Sequence, residues 1–392
     1  MNICFIVDKY PTESFPTANA FVETLVNAMV DRGEVCYVIA PQSITNAITQ
    51  NRDILPYEMT RQTPGGNSIT VYTPKYFSFS VKKIGKLNFA NLTLRNFRNA
   101  AEQVYKKISK LIHFDAIYGH FIFESGIVAN YLGQKYGVPS FFAYGENTTY
   151  TIDYLGDEKT RRLLNGVSGI VSVSSENKRV LLSHKLAKEK NIKVFPNSID
   201  TSVFYPRNKD QMREKLGFPK DAYIIAFVGR LLPVKGPDRL SAAIEEITEN
   251  KPYSFYLGEG PLKPTCGNIL FCNTVQHNQA AEYLSAADVF VLPTLAEGCC
   301  NAIVEAMACG LPIISSALPF NDDILTDKNS IRVDPMNIKE IADAIVKLRD
   351  DEIMRENMSK ASLATVQQLT IDNRAKGIIS FMNKQIAKKQ EE

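Results

Sequence analysis

The sequence predicts an α/β protein of two domains, each a doubly wound parallel sheet with helices on both faces. Three observations support this prediction: a length of 392 residues, an average composition, and alternation of short apolar runs with helical-period segments. A chain of this length exceeds what one hydrophobic core usually holds, so two domains are expected. We place them at residues 1–199 and 200–370, and we expect a final helix over residues 371–392 to pack back towards the first domain.

The composition excludes several classes of protein. Hydrophobic residues make up 45% of the chain and charged residues 22%, which argues against a disordered or fibrous protein. The 45 basic and 42 acidic residues leave a net charge of only +3, so we expect no nucleic acid partner. The seven cysteines form no C-x-x-C pair, which indicates reduced thiols in the cytoplasm and no zinc site. No stretch approaches the roughly 18 apolar residues of a membrane span.

Strand-like and helix-like segments alternate in both halves of the chain. The first half contains the apolar runs NICFIV, VCYVIAP, DAIYGH and VPSFFAYG, and the second contains AYIIAFVGR, YSFYLG, NILFC, DVFVLP and LPIISS. The segments between them have helical periodicity, and this alternation predicts βαβ units and parallel sheets. The segment KVFPNSIDTSVFYPRNKD has two prolines and no sustained period, so it is the expected linker.

Two glutamates flank the start of a predicted helix in the second half. DVFVLP is a predicted strand, TLAEG a loop and CCNAIVEAMA a helix, so Glu297 lies at the carboxyl end of a strand and Glu305 inside the helix. Ligands of open α/β sheets bind at that end of the strands. The backbone amides of Gly298 to Asn301 favour an anion, and the carboxylates favour hydroxyl groups. The alternative is that both glutamates are solvated surface charges.

A second segment, FVGRLLPVKGPDRL, carries two cations on a loop between a predicted strand and a helix that begins with Pro237. Arg230 offers a planar fork and Lys235 a point charge, so together they can hold two phosphate groups. By itself this pattern is weak, because a glycine, a lysine and a helix start often coincide.

Together, G-R-x4-K-G and E-G-x6-E-A-M-A-C-G-L-P resemble the donor site of retaining glycosyltransferases with an E-x7-E motif, the family 4-like or bacterial group 1 enzymes. The segments VFPNSIDTSVFYP, LGEGP and SAADVFVLPTLAEG also resemble that family. The resemblance implies the GT-B fold, in which two Rossmann-like domains face a cleft. The second domain would then bind a nucleotide-sugar donor and the first domain an acceptor.

The resemblance also implies roles for individual residues. Arg230 and Lys235 would stabilise the leaving diphosphate, Glu305 would bind the ribose, and Glu297 would bind the transferred sugar. His120 matches the histidine of the first domain that faces the sugar; the alternative is a structural hydrogen-bonding histidine. The implied catalytic set is His120, Glu297, Arg230 and Lys235. The donor set is Gly229, Arg230, Lys235, Val275, Glu297, Gly298, Cys299, Cys300, Asn301 and Glu305. On the acceptor side we expect Asn19, His120, Glu146 and Asn147.

The sequence departs from the family pattern in two places and lacks one motif. The first loop has Thr17 to Ala20 where a glycine pair is common, which puts its contact with the donor in doubt, and Asn197-Ser198 replaces Asn-Gly. No Asp-x-Asp occurs in the chain. We therefore expect no metal and no other cofactor, with cationic side chains and helix-end amides stabilising the leaving group.

A basic, aromatic strip over residues 75–114 is a candidate surface for an anionic membrane. It has nine lysines and arginines, one acid (Glu102) and six interleaved tyrosines or phenylalanines, and a seventh aromatic residue, Phe114, ends it. Such a strip can lie on an anionic leaflet. The alternative is a solvated helix face whose aromatic rings lie in the core.

These observations predict a retaining glycosyltransferase that moves a hexose-type sugar from a nucleotide-diphosphate sugar to a hydroxyl of a glycan or lipid-linked glycan. We expect a role in cell-surface polysaccharide synthesis, in the cytoplasm or on the inner face of the cell membrane. Two alternatives are a nucleotide-sugar epimerase on the same fold and a non-catalytic nucleotide-binding partner.

Overall fold

The computed structural model describes residues 1–12, 18–79, 83–84 and 87–391. The chain forms two units. The first comprises Met1–Val173, Asn177–Phe195 and the residues from Ile371 onward, and the second comprises Ser174–Glu176 and Pro196–Thr370. The chain thus enters the main part of the second unit at Pro196 and leaves it at Thr370.

The strands are numbered in chain order. In the first unit they are β1 (Asn2–Ile6), β2 (Val35–Ile39), β3 (Gln42–Ser43), β4 (Glu58–Gln62), β5 (Ser68–Tyr72), β6 (Lys75–Tyr76), β7 (Lys83–Ile84), β8 (Leu87–Asn88), β9 (Ala116–His120), β10 (Ser140–Tyr144), β11 (Gly169–Ser172) and β12 (Ile192–Val194). In the second unit they are β13 (Ile224–Val228), β14 (Tyr253–Leu257), β15 (Ile269–Asn273), β16 (Val289–Leu292), β17 (Ile313–Ser316) and β18 (Ser330–Val333).

The α-helices are numbered in the same way. They are α1 (Ala20–Asp31), α2 (Ile44–Thr49), α3 (Phe89–Ile108), α4 (Ile127–Tyr136), α5 (Tyr150–Leu155), α6 (Asp157–Leu164), α7 (Ser175–Ser183), α8 (Lys209–Leu216), α9 (Pro237–Glu246), α10 (His277–Ala286), α11 (Asn301–Ala308), α12 (Ile338–Asp350), α13 (Glu352–Val366) and α14 (Ile371–Glu391).

The main sheet of the first unit has the order β12-β11-β10-β9-β1-β2-β5-β4. Its strands are parallel except for β4, which pairs antiparallel with β5 at one edge. The strand order reverses between β1 and β9, and ligands of doubly wound sheets bind at the carboxyl ends of the strands at such a switch point.

Both faces of this sheet are covered, because successive side chains of a buried parallel strand point to opposite faces. Ile3 and Phe5 of β1 pack in one apolar cluster with residues of α1 and α14. Cys4 and Ile6 pack in another cluster with residues of α3 and α4. The final helix therefore belongs to the first unit, where Ala375, Ile378, Phe381 and Met382 are buried in the first of these clusters.

The sheet of the second unit is wholly parallel, with the order β15-β14-β13-β16-β17-β18. In chain order this is 3-2-1-4-5-6, the strand order of dinucleotide-binding folds, so the switch point lies between β13 and β16. All seven cysteines are free thiols, and six of them are buried.

Candidate functional site

The switch point of the second unit brings two predicted segments together. The loop after β13 carries Arg230 and Lys235, and the loop after β16 carries Glu297. Since β13 and β16 are paired in parallel, both loops leave the same edge of the sheet. Leu295 N–H donates to Val234 O over 2.8 Å, so the two loops are also joined by a backbone hydrogen bond.

Lys235 and Glu297 form an ion pair in which Lys235 Nζ donates to Glu297 Oε1. The side chains are 19% and 9% exposed, so the pair is largely shielded from water. Thr294 Oγ1 donates to the same carboxylate oxygen over 3.1 Å. The structure therefore places two of the expected donor residues in direct contact, and a ligand phosphate at Lys235 would compete with Glu297 for the ammonium group.

A buried arginine that the sequence analysis missed holds these loops in place. Arg239 of α9 donates from Nη1 to Pro233 O and from Nη2 to Pro293 O, both over 2.8 Å. Burial lowers the pKa of Arg239, yet a guanidinium stays charged at any physiological pH. The available signal was one basic residue in the first turn of a helix, PDRLSAAIEE, whose other charged residues are all acidic.

Arg230 is exposed, and no hydrogen bond or ion pair involves its guanidinium within the described ranges. Its backbone is fixed, because Gly229 and Leu231 N–H donate to Leu257 O (3.0 Å) and Glu259 O (2.9 Å). A Cβ on Gly258 would lie 2.0 Å from Gly229 O, so glycine is required for this approach. The guanidinium of Arg230 thus extends from a fixed backbone without a described protein partner, and such a group suits phosphate binding.

The start of α11 follows Glu297. Gly298, Cys299 and Cys300 are buried and Asn301 is exposed, and no side chain caps the helix at Cys300. Burial raises the pKa of the Cys300 thiol well above its usual range, so this cysteine is a neutral packing residue. Asn197 Nδ2 donates to Cys299 O (2.9 Å) and Asn301 Oδ1 (2.7 Å), which ties the predicted linker to this loop.

Glu305 lies buried inside α11, where its Oε1 is 2.9 Å from His277 Nε2. The hydrogen bond to Glu305 raises the pKa of His277. The Phe204 ring packs against the imidazole at 5.0 Å between centroids. Val275 is half-buried in the segment between β15 and α10, two residues before this histidine. Thus Glu305 and the segment of Val275 are linked through His277, a contact that the spacing of the motif does not reveal.

In the first unit, His120 ends β9 at the switch point and is 5% exposed. The rings of Phe21 and Phe121 lie 4.9 and 4.7 Å from its imidazole. Burial, with a smaller contribution from the Arg374 charge, lowers the pKa of His120 to about 3. Its Nδ1 atom has no hydrogen-bond partner among the residues described. His120 is therefore neutral at physiological pH.

The three other expected acceptor-side residues have different surroundings. Glu146 follows β10 and accepts hydrogen bonds from the N–H groups of Ile122 (2.8 Å) and Gly145 (3.1 Å), while burial raises its pKa to about 7. Asn147 is exposed. Asn19 precedes α1 in the left-handed region (φ 52°), and its Nδ2 donates to Asp8 Oδ1 over 2.9 Å. Thr17, part of the altered first loop, lies outside the described residues.

A cavity of about 420 Å³, which the sequence patterns did not reveal, lies in the first unit next to β1, β2 and β5. Asp8, Lys9, Tyr76 and Glu124 are among the residues that line it. Burial, with the nearby Asp8 charge, raises the pKa of Glu124 to about 7, and burial also raises the pKa of Asp8.

The backbone of Glu124 has φ 58° and ψ −73°, close to the strained classic γ-turn. Strain of this kind is concentrated at functional sites. The sequence signal was a lone acid in HFIFESG, directly after β9.

Some residues of the basic, aromatic strip over residues 75–114 are buried in the core, and others are exposed. Tyr76, Phe97 and Tyr105 lie in the core, as the alternative interpretation requires. Phe77 and Phe79 are 59% and 42% exposed, and Arg95 and Lys110 are also exposed. Lys82, Lys86 and the side chain of Lys83 lie outside the described part of the chain.

Two doubly wound units, each with a switch point in its strand order, define the class of the fold, which is GT-B. Residues 222–351 match the family model "Glycosyl transferases group 1". The chain therefore contains a group 1 glycosyltransferase domain in its second unit, and the predicted GT-B fold and the resemblance to group 1 glycosyltransferases are confirmed.

Similar proteins agree with this assignment. The chain is 27% identical, over 94% of each sequence, to the putative teichuronic acid biosynthesis glycosyltransferase TuaC of Bacillus subtilis. It is 26% identical to the UDP-Gal:alpha-D-GlcNAc-diphosphoundecaprenol alpha-1,3-galactosyltransferase of Escherichia coli, over 67% of this chain and 73% of that one. The crystal structure of Anabaena HepE in complex with UDP superposes with a TM-score of 0.72 at 14% identity, covering 98% of this chain and 100% of that one.

The described part of the chain has neither a membrane-spanning helix nor a cluster of metal ligands. Within the described ranges, no helix is both long and apolar enough to cross a membrane. No cluster of three or more histidine, cysteine, aspartate or glutamate side chains that could hold a metal ion was found among the same residues.

Proposed function

We propose that the protein transfers a hexose-type sugar from a nucleotide-diphosphate sugar to a hydroxyl of a glycan or lipid-linked glycan, with retention at the anomeric carbon, in cell-surface polysaccharide synthesis. The observation that carries this proposal is the Lys235–Glu297 pair beside the exposed Arg230 at the switch point of the second unit. These loops carry two cations and one carboxylate. The cations suit the phosphate groups of a nucleotide-sugar, and the carboxylate suits its hydroxyl groups.

The donor is proposed to bind along the loops of the second unit. Arg230 and Lys235 bind the diphosphate, the amides at the start of α11 bind its oxygens, and Glu297 accepts hydrogen bonds from the sugar hydroxyls. Glu305 accepts from the ribose in exchange for His277. Uridine diphosphate is the first nucleotide to test, because one relative is named for UDP-galactose and one similar structure holds UDP.

Catalysis is proposed to depend on stabilising the diphosphate as it leaves. The negative charge that develops on the leaving oxygen is met by Lys235, Arg230 and the helix-end amides, which are already in place before reaction. That oxygen then accepts the proton of the attacking acceptor hydroxyl on the same face of the sugar, which gives retention. We propose that no divalent metal takes part, since the loop after β13 carries two cationic side chains and no Asp-x-Asp occurs in the sequence.

The acceptor is proposed to bind in the first unit, with the residues Asn19, His120, Glu146 and Asn147 nearby. The cavity lined by Asp8 and Glu124 adds carboxyl groups that can hydrogen-bond hydroxyls of an acceptor sugar. Two relatives are named for teichuronic acid synthesis and for a diphosphoundecaprenol-linked substrate, which supports a glycan or lipid-linked acceptor.

The test measures nucleotide release and product stereochemistry together. The protein is incubated with UDP-hexoses, with and without a membrane extract that contains lipid-linked glycans, in buffer with EDTA. We expect release of UDP that depends on the acceptor, and an anomeric configuration in the product equal to that of the donor by NMR. An inverted product, or full loss of release in EDTA with rescue by magnesium, would contradict the proposal. Conversion of the donor sugar to its epimer without acceptor would identify an epimerase instead.

Peripheral membrane contact through residues 75–114 is the second part of this proposal, and Phe77, Phe79, Arg95 and Lys110 are among the exposed residues of this strip. Co-sedimentation with vesicles tests it. We expect more protein to sediment with anionic than with neutral vesicles, and an Arg95→Gln/Lys110→Gln variant to sediment less. Equal sedimentation with both kinds of vesicle would contradict membrane contact.

A further inference from the structure

A second cavity of the first unit, of about 720 Å³, has no part in the proposed transfer reaction. Three segments that are distant in sequence line it: the end of α6 with the turn after it, the segment between α7 and β12, and the last turns of α14. Ser168 and Asn191 in its wall directly precede β11 and β12, which are parallel to β10. The cavity therefore lies at the amino-terminal ends of the strands, whereas His120 and Glu146 lie at the carboxyl ends.

The charge of this cavity has one sign. None of the described lining residues is acidic. Six of them are cationic: Arg161, Lys185, Lys188, Lys190, Lys388 and Lys389. Arg161 is balanced in part by Asp157 at 3.9 Å. The structure records no ion pair for Lys185, Lys188, Lys388 or Lys389 within its described ranges. The chain as a whole is nearly neutral, with 45 basic and 42 acidic residues, so this concentration is local.

The walls of the cavity are held together and offer a hydrogen-bonding group. Gln385 of α14 is buried and its Nε2 donates to Lys190 O over 3.0 Å, which fixes the final helix against the segment before β12. Ser168 is 9% exposed, and its hydroxyl has no hydrogen-bond partner among the residues described. Buried hydroxyls in folded proteins are rarely left without a partner.

We infer that this cavity binds an anionic ligand that carries two or more phosphate groups. Lys185, Lys188, Lys388 and Lys389 come from separate segments and have no acidic partner within the described ranges, so they repel one another, and a polyanion removes that repulsion. Ammonium groups act as compact point charges and bind phosphate without strict geometry. The volume lies within the range of small-molecule sites. The inference does not rest on the proposed transfer reaction, since the residues involved are not those of the donor or acceptor sites.

Two sources of such phosphate groups are separable by experiment: a soluble oligophosphate and the head groups of an anionic bilayer. Inorganic tripolyphosphate is titrated into the full chain by calorimetry, and sedimentation is measured with phosphatidylglycerol and with phosphatidylcholine vesicles. The test variant is Lys185→Gln/Lys188→Gln/Lys388→Gln/Lys389→Gln. The matched control is Lys328→Gln/Lys339→Gln/Lys347→Gln/Lys360→Gln, which removes four exposed lysines from the second unit.

Hydrogen exchange localises the bound phosphate, because tripolyphosphate can also contact Arg230 and Lys235. We expect tripolyphosphate or anionic vesicles to slow exchange in residues 182–191 and 381–389 of the wild type and of the control. The test variant should lose this protection and bind at least about tenfold more weakly, as expected when several cations near an anionic surface are removed. Protection by tripolyphosphate alone identifies a soluble ligand, and protection by phosphatidylglycerol vesicles alone identifies lipid head groups.

The inference is overturned if neither probe slows exchange in these segments, or if the control loses binding as much as the test variant does. Thermal unfolding of each variant is recorded as a check of folding. A Lys388→Gln/Lys389→Gln variant, which changes only the last turns of α14, provides a second measurement if the quadruple test variant unfolds. It is expected to give an intermediate loss of protection, and full retention would count against the site.

Discussion

The Lys235–Glu297 contact shows how single residues determine the chemistry proposed for the second unit. The pair is mostly buried, so its mutual attraction is stronger than that of a surface pair. A donor phosphate that binds Lys235 takes over part of that attraction and leaves the Glu297 carboxylate free to bind a sugar hydroxyl. In the proposed donor site, one ion pair would therefore couple the binding of the two parts of the donor.

Replacement of this lysine tests the diphosphate assignment. For Lys235→Ala we expect the turnover number to fall roughly a hundredfold, which corresponds to about 3 kcal/mol of lost transition-state stabilisation. Lys215→Ala is the matched control, because Lys215 forms an exposed pair with Glu282 in the same unit. Steady-state kinetics measures both variants, and turnover of Lys235→Ala close to that of the wild type would show that the diphosphate binds elsewhere.

The Glu124 carboxyl predicts a pH dependence of stability. Its pKa is raised from 4.5 to about 7 in the folded protein, so the folded state binds the proton more tightly. The corresponding stabilisation is fully present below about pH 4.5 and is lost as the pH rises through about 7. In Glu124→Gln we expect the unfolding midpoint to fall less over this window than in the wild type.

Differential scanning calorimetry at several pH values measures this difference. Glu146 titrates in the same window and remains in both proteins, so only the difference between variant and wild type is attributed to Glu124. Glu158→Gln, a change at an exposed carboxyl, is the control and should follow the wild type. A Glu124→Gln profile parallel to the wild-type profile would show that Glu124 titrates normally.

At the residue scale, the sequence predicts candidate donor residues that lie near one another along the chain. Arg230, Lys235, Glu297 and Glu305 all come from two contiguous segments. The contacts of Arg239 with Pro293 and of Asn197 with the start of α11 were missed because these partners lie 54 and 102 or more residues away in the chain. Contacts of that kind are set by tertiary packing, which local patterns do not encode.

At the scale of elements, alternation along the chain predicted βαβ units and parallel sheets, since most apolar runs of strand length were followed by a helical pattern. The strand order was not predictable in the same way. The reversals between β13 and β16, and between β1 and β9, depend on which strand pairs with which. The aromatic residues of the strip over residues 75–114 show a similar limit, because the sequence did not distinguish the core rings of Phe97 and Tyr105 from the exposed rings of Phe77 and Phe79.

The start of α9 provides a prediction at this scale. Gly236 caps the helix at φ 75°, and a Cβ there would lie 2.7 Å from Pro293 O and 2.6 Å from Arg239 Nη2. Gly217 ends α8 at a similar φ of 70° with open space around it. We expect Gly217→Ala to cost about 1 kcal/mol of stability and Gly236→Ala about 3 kcal/mol, because only the second adds a steric clash to the backbone strain.

Denaturant unfolding of the two variants measures this comparison. In Gly236→Ala we also expect weaker binding of nucleoside diphosphate, since the clash displaces Arg239, which joins the two loops. Equal losses of stability in both variants would show that the space around Gly236 is not restricted.

At the scale of the whole molecule, the two units differ in what they should bind. A nucleoside diphosphate that binds the folded second unit stabilises it by mass action, by about 2.7 kcal/mol at a concentration one hundred times Kd. We therefore expect UDP to raise the thermal unfolding midpoint in buffer with EDTA. The increase should be smaller in Arg230→Ala, and an equal increase in wild type and variant would contradict the role of that arginine.

The membership of α14 in the first unit has a consequence for how the protein is made. At roughly 5–20 residues per second, the ribosome needs on the order of 10 to 40 s to complete the second half after the last strand of the first sheet has emerged. During that time the apolar side of α1 that α14 will cover stays open to water. The half of the protein that is synthesised first is thus the last to be finished, and its nascent form is an expected client of chaperones.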